Sequence, residues 1–317
     1  MINFSCSLMT AAGADERVFR REDYEAAVAR WCTGCGDHST LAAIQRLLTE
    51  EQLKPETTAF VSGIGCSSRF PHYVKTFGFH SLHGRALPVA TGIKLHRPDL
   101  NVFVTMGDGD CCSIGTSHWI HAVRYNMRMV VILLDNNNYA LTKNQTSPTS
   151  PRGLATNTQP YGTYLDALNP LTATLGVTNA SFVAQTAEWI PAHQYATLQA
   201  AFRHPGFAFI RIMQRCPVYT PGLYDEAVRK PETLEMMVHE DGITVPQLDK
   251  IYKNQRRHDP SDLDGARRLA EDLWANRLGV FFKDPSRPRY EETRRRPART
   301  AKERIELINA ELDRYAV

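Results

Sequence analysis

Two polar clusters near the middle of the chain contain the residue types that bind a metal diphosphate. The first, GDGD, starts at Gly107, and the second, DNNN, starts at Asp135. Mg²⁺ prefers oxygen ligands, and it often shares them with phosphate groups. The side chains of Asp108 and Asn136 and the main-chain carbonyl of Asn138 offer such oxygens. The glycines of the first cluster would let the backbone approach a phosphate closely. The sequence therefore predicts a magnesium–diphosphate site, provided that the clusters lie together; singly, an acidic turn and an Asn-rich turn are both common.

The elements around these clusters are expected to bring them together. Each cluster follows a short apolar run, Val102–Met106 in one case and Met129–Leu134 in the other, and apolar residues recur at roughly helical spacing between Ile114 and Val123. A strand–helix–strand crossover makes its strands parallel, so both clusters would lie at the carboxyl ends of neighbouring strands, where open α/β sheets bind ligands. We therefore predict an α/β fold, with a parallel twisted sheet flanked by helices. GDG followed farther along by an Asn pair also resembles the signature of enzymes that use thiamine diphosphate (TPP).

The seven cysteines form a second group of candidate ligands. Cys32 and Cys35 have C-x-x-C spacing, which by itself suits half of a zinc site, a redox pair or part of an iron–sulfur site. Cys66 follows a Gly-rich strand end. Cys216 precedes a proline, which is common beside iron–sulfur clusters because proline removes a competing donor and stiffens the turn; a buried structural cysteine is the alternative. Cys6 stands alone, and we expect it to be a free thiol.

Length and composition exclude several other classes of protein. A chain of 317 residues can bury a substantial core. The formal net charge of +3 does not argue for nucleic-acid binding, and no apolar run reaches membrane-spanning length. The N-terminus lacks the basic start and long apolar core of a signal peptide. We therefore expect a cytoplasmic protein whose cysteines are thiols or metal ligands rather than disulfides.

Six motifs now combine into a family pattern. In chain order they are WCTGCGDHS, GIGCSSRFP, FHSLHGRALPVATG, GDGD, DNNNYALTKNQTSPTS and RCPVYTPG. Together they resemble the β subunit of 2-oxoacid:ferredoxin oxidoreductases, most closely the 2-oxoglutarate (KorB-like) branch. The resemblance covers roughly residues 28–221, which would form a TPP-binding domain with an N-terminal iron–sulfur loop. Residues 1–27 would be a lead-in, and residues 222–317 a C-terminal extension, because no dense apolar periodicity supports a second core.

The resemblance implies three sets of cofactor ligands. Four cysteines would hold one [4Fe–4S] cluster, which matches the thiolate count that such a cluster needs, although spacing alone leaves a Cys₄ zinc site open. Cys111 and Cys112 fall outside that set and are expected to pack as small hydrophobes. The implied cluster ligands are Cys32, Cys35, Cys66 and Cys216; the TPP contacts are Ile64, Gly65, Cys66, Ser67, His83, Gly109, Asp110, Ala140 and Leu141; the Mg²⁺ ligands are Asp108, Asn136 and Asn138.

The resemblance also implies a reaction and two catalytic cations. A 2-oxoacid and coenzyme A would give acyl-CoA and CO₂, with electrons passing through the cluster to ferredoxin. Arg69 takes the place of a basic residue near the substrate carboxylate. Lys143 takes the place of the lysine in the family's LTKGQ and is expected to meet the distal carboxylate of 2-oxoglutarate. Asn144 replaces the glycine of that motif, which Asn tolerates well if the position needs a positive φ.

The implied partners are ferredoxin and an α subunit, in an αβ or (αβ)₂ assembly. TPP enzymes use a carboxylate to activate the cofactor, and no Glu of this chain matches a motif for that role, so the α subunit is expected to supply it. Three alternatives stay open. The chain could serve a pyruvate or branched-chain 2-oxoacid enzyme, a non-redox TPP-dependent decarboxylase with structural zinc, or a ferredoxin-like carrier that binds no substrate.

Overall fold

A central sheet organises the chain. We describe a computed structural model over residues 17–240, 242–293 and 300–315; Cys6 and most of the predicted lead-in lie outside these ranges. The described residues form a nine-stranded sheet in the order β2-β1-β3-β4-β6-β5-β9-β7-β8. The strands are β1 (Thr58–Ser62), β2 (Phe77–His80), β3 (Asn101–Gly107), β4 (Met129–Asp135), β5 (Phe182–Ala187), β6 (Phe207–Met213), β7 (Glu235–Val238), β8 (Gln255–Arg257) and β9 (Arg277–Lys283).

Helices cover both faces of this sheet. None of the described helices is long and apolar enough to cross a membrane. A short π-helical turn, Asp110–Ile114, lies between β3 and the helix that follows it. The helices are α1 (Asp37–Glu50), α2 (Phe70–Tyr73), α3 (Ala86–His96), α4 (Thr116–Tyr125), α5 (Pro170–Leu175), α6 (Pro191–Arg203), α7 (Asp225–Arg229), α8 (Leu263–Ala270), α9 (Tyr290–Thr293) and α10 (Ala301–Asp313).

The central strands are buried on both faces, which explains their continuous apolar runs. In β4, Val131 and Leu133 point into the core layer that contains Trp119 of α4. The alternate residues of the same strand, Val130 and Ile132, point into the opposite layer. This alternation follows from the two-residue period of a strand. Parallel pairing of β3 with β4 places the carboxyl ends of the two strands side by side, with Gly107 opposite Leu134 in the register.

The prediction of an α/β fold with a parallel sheet flanked by helices is confirmed for most of the sheet, and one strand pair departs from it. Strand β9 pairs antiparallel with β5, across a register shift at Val183/Ala184. Phe281 and Phe282 of β9 are almost fully buried. The sequence pattern predicts helical stretches at residues 245–254, 263–276 and 300–315, but the extension after residue 221 also adds three strands to the sheet. A short apolar run such as LGVFF does not distinguish a strand from a buried helix segment without its neighbours.

Two predicted helices are shorter in the structure. The sequence pattern predicts a helix over Tyr164–Leu175 that stops at Gly176, but α5 begins only at Pro170, where the Asn169 side chain accepts hydrogen bonds from two backbone amides of the first turn. Proline disfavours helical backbone in the residue before it, which explains this boundary. The helical patch expected over Arg21–Arg30 is a single 3₁₀ turn, Arg21–Tyr24.

Candidate functional site

A cavity of about 210 Å³ opens at the carboxyl ends of the parallel strands. Its walls come from the segments after β1, β3 and β4 and from the loop before α3. All the residues predicted to contact TPP and Mg²⁺ lie in its lining, together with Asp37 and Gln214, which sequence reasoning missed. Asp37 is the first residue of α1 and is 1% exposed, and burial raises the pKa of its carboxyl to about 7. Nothing in the local sequence marks it as a cavity residue.

Asp108 presents one free carboxylate oxygen to this cavity. Its Oδ2 accepts hydrogen bonds from the hydroxyls of Ser147 and Thr149, the latter at 2.9 Å. Within the described part of the chain, no donor reaches Oδ1. Burial, and next the nearby charge of Asp135, raise the pKa of Asp108 to about 7. A cation beside Oδ1 would stabilise the ionised form, so the site fits a metal ligand.

The loop after β4 holds its amide oxygens in fixed positions. Asn136 Oδ1 accepts a hydrogen bond from the backbone N–H of Asn138 at 3.1 Å, and an amide oxygen keeps a second lone pair. Asn137 adopts φ +59°, and its side chain accepts a hydrogen bond from the Tyr224 hydroxyl at 2.8 Å. The carbonyl of Asn138 accepts no hydrogen bond from the described residues. This geometry fits ligation of a hard cation by the Asn136 side chain and the Asn138 carbonyl.

A buried ion pair between β6 and the end of β4 stabilises the loop after β4. Arg211 Nε donates to Asp135 Oδ2 at 2.7 Å, and both side chains are at most 1% exposed. Arg211 Nη1 also donates to Gln185 on the neighbouring strand at 2.6 Å. Asp135 Oδ1 in turn accepts from Thr149 at 2.7 Å. The motifs did not identify Arg211, but an arginine inside the apolar run FAFIRIM indicates a buried partner.

Asp110 connects three segments that border the cavity. Its Oδ1 accepts hydrogen bonds from the backbone N–H groups of Ile64 at 3.2 Å and Gly84 at 2.6 Å. His83 Nδ1 lies 2.8 Å from the same oxygen. This contact raises the pKa of the imidazole above its usual value, against the opposing effect of partial burial. With Nδ1 held by Asp110, Nε2 is the nitrogen left for a ligand, and a cationic ring suits a diphosphate.

Backbone close to the cavity has no room for larger side chains. A Cβ added at Gly109 would lie 2.0 Å from the Tyr139 ring, and one at Gly63 would lie 2.2 Å from the Asp110 carboxylate. The buried Ser67 hydroxyl, in the same lining, has no hydrogen-bond partner among the described residues. A bare backbone with a free buried hydroxyl fits a phosphate, which accepts hydrogen bonds from both.

The four predicted cluster cysteines line a second cavity of about 160 Å³. Cys32 is exposed, Cys35 and Cys66 are partly exposed, and Cys216 is buried. Trp31 closes one side, and its Nε1 donates to the Cys66 carbonyl at 2.7 Å. Cys111 and Cys112 instead belong to the hydrophobic core, as predicted.

The burial of these thiols affects how they could bind a metal. Burial raises the pKa of Cys66 to about 12 and raises that of Cys35 well above its usual range. Cationic metal centres are therefore needed to hold them as thiolates. Among the described residues, no group of three or more His, Cys, Asp or Glu converges tightly enough for one metal ion. Four cysteines line this cavity, which is the number of ligands that a [4Fe–4S] cluster or a Cys₄ zinc site takes.

The two cavities are adjacent. Five residues line both of them: Cys66, Asn136, Ala140, Leu141 and Gln214. Cys66 borders the larger cavity directly, so a ligand there would lie beside one of the four cysteines.

The two cations predicted to be catalytic lie at different places. Arg69 lines the cysteine cavity but not the larger one, and its Nη1 donates to the Arg30 carbonyl at 3.1 Å. Lys143 is exposed and lines neither cavity, although Leu141 and Thr142 just before it line the larger one. Asn144 has φ +66°, so the backbone here is left-handed, as the glycine of the family motif would suggest.

Comparisons with known proteins agree with this geometry. Residues 63–212 match the family model of the thiamine pyrophosphate enzyme C-terminal TPP-binding domain. The chain is 45% identical over 209 residues to the 2-oxoglutarate oxidoreductase subunit KorB of Mycobacterium tuberculosis, covering 66% of this chain and 56% of that relative. The chain thus spans little more than half the length of this relative. It is 37% identical over 273 residues to a 2-oxoacid:ferredoxin oxidoreductase β subunit of a Sulfolobus species, covering 83% of this chain and 84% of the other.

A solved structure extends the likeness to the fold. It is the 2-oxoglutarate:ferredoxin oxidoreductase from Magnetococcus marinus, solved with 2-oxoglutarate, coenzyme A and succinyl-CoA bound. Its matching chain aligns with a TM-score of 0.75 and 34% identity, covering 91% of this chain and 96% of that one. The chain described here therefore belongs to the β-subunit family of the 2-oxoacid:ferredoxin oxidoreductases.

Proposed function

We propose that this chain is the β subunit of a 2-oxoglutarate:ferredoxin oxidoreductase. The proposal rests on one observation: the two cavities share a wall of side chains. One cavity has the donors for a metal diphosphate, and the other has four cysteines. The reaction joins a 2-oxoacid, CoA–SH and two oxidised ferredoxins to give acyl-CoA, CO₂, two reduced ferredoxins and one proton. The C1–C2 bond of the acid breaks, a C2–S bond forms, and two electrons leave.

The larger cavity would hold Mg²⁺–TPP, which when bound supplies the nucleophile and the electron sink for decarboxylation. Asp108 Oδ1, Asn136 Oδ1 and the Asn138 carbonyl would ligate the metal. The contact between His83 Nδ1 and Asp110 would leave the other ring nitrogen of His83 for the diphosphate. The buried Ser67 hydroxyl has no other partner among the described residues and is available to a phosphate oxygen.

The second cavity would hold one [4Fe–4S] cluster through Cys32, Cys35, Cys66 and Cys216, and this cluster would accept electrons one at a time. Gln214 Nε2 donates to Cys35 Sγ at 3.3 Å. Hydrogen bonds to ligand sulfur raise the potential of a cluster, because they stabilise the more negative, reduced state. Gln214 lines both cavities, so it would act on the cluster from the TPP side.

We infer that a second subunit completes the site. The acidic residues among the described lining of the larger cavity are Asp37, Asp108 and Asp110, and no Glu lines it. We assign Asp108 as a ligand of the metal and Asp110 as the partner of the His83 ring. We assign the carboxylate that activates TPP to an α subunit, so the active site would lie at the αβ interface.

The choice of 2-oxoglutarate rests on the relatives and on charge. The M. tuberculosis relative and the M. marinus enzyme are both named for 2-oxoglutarate. This substrate differs from pyruvate by a distal carboxylate, which needs a cation when it leaves water. Lys143, at the edge of the loop that lines the larger cavity, is the cation that we assign to it. Arg69, on the cysteine side of the shared wall, remains our candidate for the keto-acid carboxylate.

The test is to co-purify the chain with its α subunit and to assay 2-oxoacids with CoA and benzyl viologen. We expect a brown complex that turns over 2-oxoglutarate faster than pyruvate and requires CoA. An Asp108→Ala complex serves as the inactive control. A colourless, zinc-containing complex would refute the redox proposal, and a preference for pyruvate would refute the substrate.

A further inference from the structure

The cysteine cavity has one side that faces solvent. Of its four cysteines, Cys32 is the exposed one, whereas Cys216 is buried and Cys66 lies in the wall toward the larger cavity. An electron that enters the cluster through the shared wall is therefore closest to an external acceptor beside Cys32. The surface around Cys32 is thus the place to look for a redox partner.

Two exposed valines flank this surface. Val28 is 86% exposed and Val218 is 51% exposed. Val28 is four residues before Cys32, so the two lie within about 14 Å, and Val218 is two residues after Cys216, within about 7 Å. Exposed branched apolar side chains near a redox site suit the small apolar centre of a transient interface.

The same surface carries unpaired positive charge. Arg30 and Arg69 both line the cysteine cavity, and neither forms an ion pair with any described residue. Arg69 donates to the Arg30 carbonyl at 3.1 Å, which keeps the two residues together. No Asp or Glu is among the described residues that line this cavity. By contrast, nearby Arg215 is neutralised by Glu188 at 2.5 Å.

The backbone of this surface is held rigidly. The N–H of Arg30 donates to the Tyr73 hydroxyl at 3.1 Å, and the next residue, Trp31, packs against Phe70 and Tyr73 with ring centroids 5.0 and 4.8 Å apart. A surface fixed in advance loses little conformational entropy when a partner docks.

We propose that Val28, Arg30 and Val218, around the exposed Cys32, form the docking surface for a small acidic electron carrier of the ferredoxin type. The proposal rests on the proposed function and names the surface through which each electron leaves the reduced cluster for the oxidised carrier. Redox partners use small interfaces, and opposite charges speed their encounter. Two exposed valines and an unpaired cation match a carrier with a negative surface around its own cluster.

The test uses the αβ holoenzyme with 2-oxoglutarate and CoA, and compares a purified acidic ferredoxin with benzyl viologen as electron acceptor. Val28→Glu and Arg30→Glu should each raise the KM for ferredoxin roughly tenfold relative to the KM for viologen, because like charges oppose the encounter. Raising the salt concentration should weaken ferredoxin turnover of the wild type more than that of Arg30→Glu. Arg124→Glu is the matched control, since Arg124 is an exposed arginine that forms no ion pair with a described residue. It lies near the end of α4, just before the amino end of β4, whereas the cysteine cavity adjoins the carboxyl ends of the strands.

An unchanged ferredoxin KM in both variants, with full iron content, would overturn the proposal. A raised KM for CoA in Arg30→Glu would also overturn it, because Arg30 would then contact a CoA phosphate. Loss of the α subunit from the Val28→Glu complex would overturn it as well, because the α subunit would then cover this surface. In all three cases viologen turnover by the wild type would leave the proposed function standing. A wild-type complex without viologen turnover would instead contradict the proposed function.

Discussion

Replacing Asp110 with Ala tests whether this residue organises the TPP site. The change removes the acceptor of two backbone N–H groups, that of Gly84 at 2.6 Å and that of Ile64 at 3.2 Å. An unsatisfied buried donor costs about 1–3 kcal/mol, and the Ile64 amide, only partly buried, belongs at the low end of that range, so we expect a loss of stability of about 2–4 kcal/mol.

The same variant should also weaken TPP binding. Without Asp110, the His83 ring loses the contact at 2.8 Å that orients it and favours its charged form. One charge-assisted hydrogen bond to the diphosphate contributes about 1.5–3 kcal/mol, which corresponds to roughly a tenfold to hundredfold change in Kd. His83→Gln should cause a similar loss of affinity without the loss of stability, because it leaves the backbone amides paired with Asp110.

A double-mutant cycle separates orientation from general damage. TPP binding is measured by calorimetry on the αβ complex in excess Mg²⁺, for the wild type, both single variants and Asp110→Ala/His83→Gln. If Asp110 acts through His83, the double variant should bind no more weakly than Asp110→Ala alone. Fully additive losses of affinity, or wild-type affinity in Asp110→Ala, would refute the reasoning.

The pKa of His83 adds a pH signature to this test. Because the folded pKa is raised, the contribution of the charged ring is complete below the ordinary pKa of about 6.5 and is lost as pH rises through the raised value. In Asp110→Asn the pKa of His83 should fall, so its part of TPP affinity should be lost at lower pH than in the wild type. Identical pH profiles for the two proteins would contradict this assignment.

Three further predictions concern the metal, the cluster and the substrate. Asp108→Ala should weaken Mg²⁺–TPP binding by at least about a hundredfold, because it removes the charged ligand. Since the pKa of Asp108 is raised to about 7, Mg²⁺–TPP binding by a His83→Gln variant that keeps Asp108 should strengthen from about pH 6 to 8 and release protons, as calorimetry in buffers of different ionisation enthalpy can detect. Cys216→Ala should lose the iron and the visible spectrum, whereas the equally buried Cys112→Ala should keep both; unchanged iron in the first variant would contradict the ligand set. Lys143→Ala should lose 2-oxoglutarate turnover more than tenfold, about 1.5–3 kcal/mol, with a smaller effect on pyruvate, and equal losses on both substrates would give Lys143 a structural role instead.

The central strands could be predicted from sequence because their signals are local. The apolar run Phe207–Met213 predicts a strand, and β6 has the same bounds; the sequence also predicts a helix from about Leu87, and α3 begins one residue earlier. Each is a long apolar segment with a polar boundary, which leaves few alternatives. Local patterns gave less guidance for β2, whose residues Phe77–His80 are all exposed on the sheet edge and so show no alternation of buried and exposed positions.

The residue types of the candidate site could be chosen from the local sequence. Magnesium and iron bind particular oxygen and sulfur atoms, so Asp108, Asn136 and the C-x-x-C cysteines could be selected as candidate ligands by residue type alone, and these ligand roles stay predictions. The parallel crossover then predicted that the two polar clusters meet, and β3 and β4 are neighbours in the sheet.

Only the tertiary structure decided which side chains hold these groups in place. Tyr224, from the extension, donates to Asn137 across a separation of 87 residues, and Arg211 reaches Asp135 across 76. The tertiary structure also places Arg69 in the lining of the cysteine cavity and Cys66 in the lining of both cavities. Tyr, Arg and Ser serve many structural purposes, so their type alone does not indicate a partner. A hydrogen bond depends on distances of a few tenths of an ångström between residues far apart in sequence, and these distances are set by packing of the whole fold.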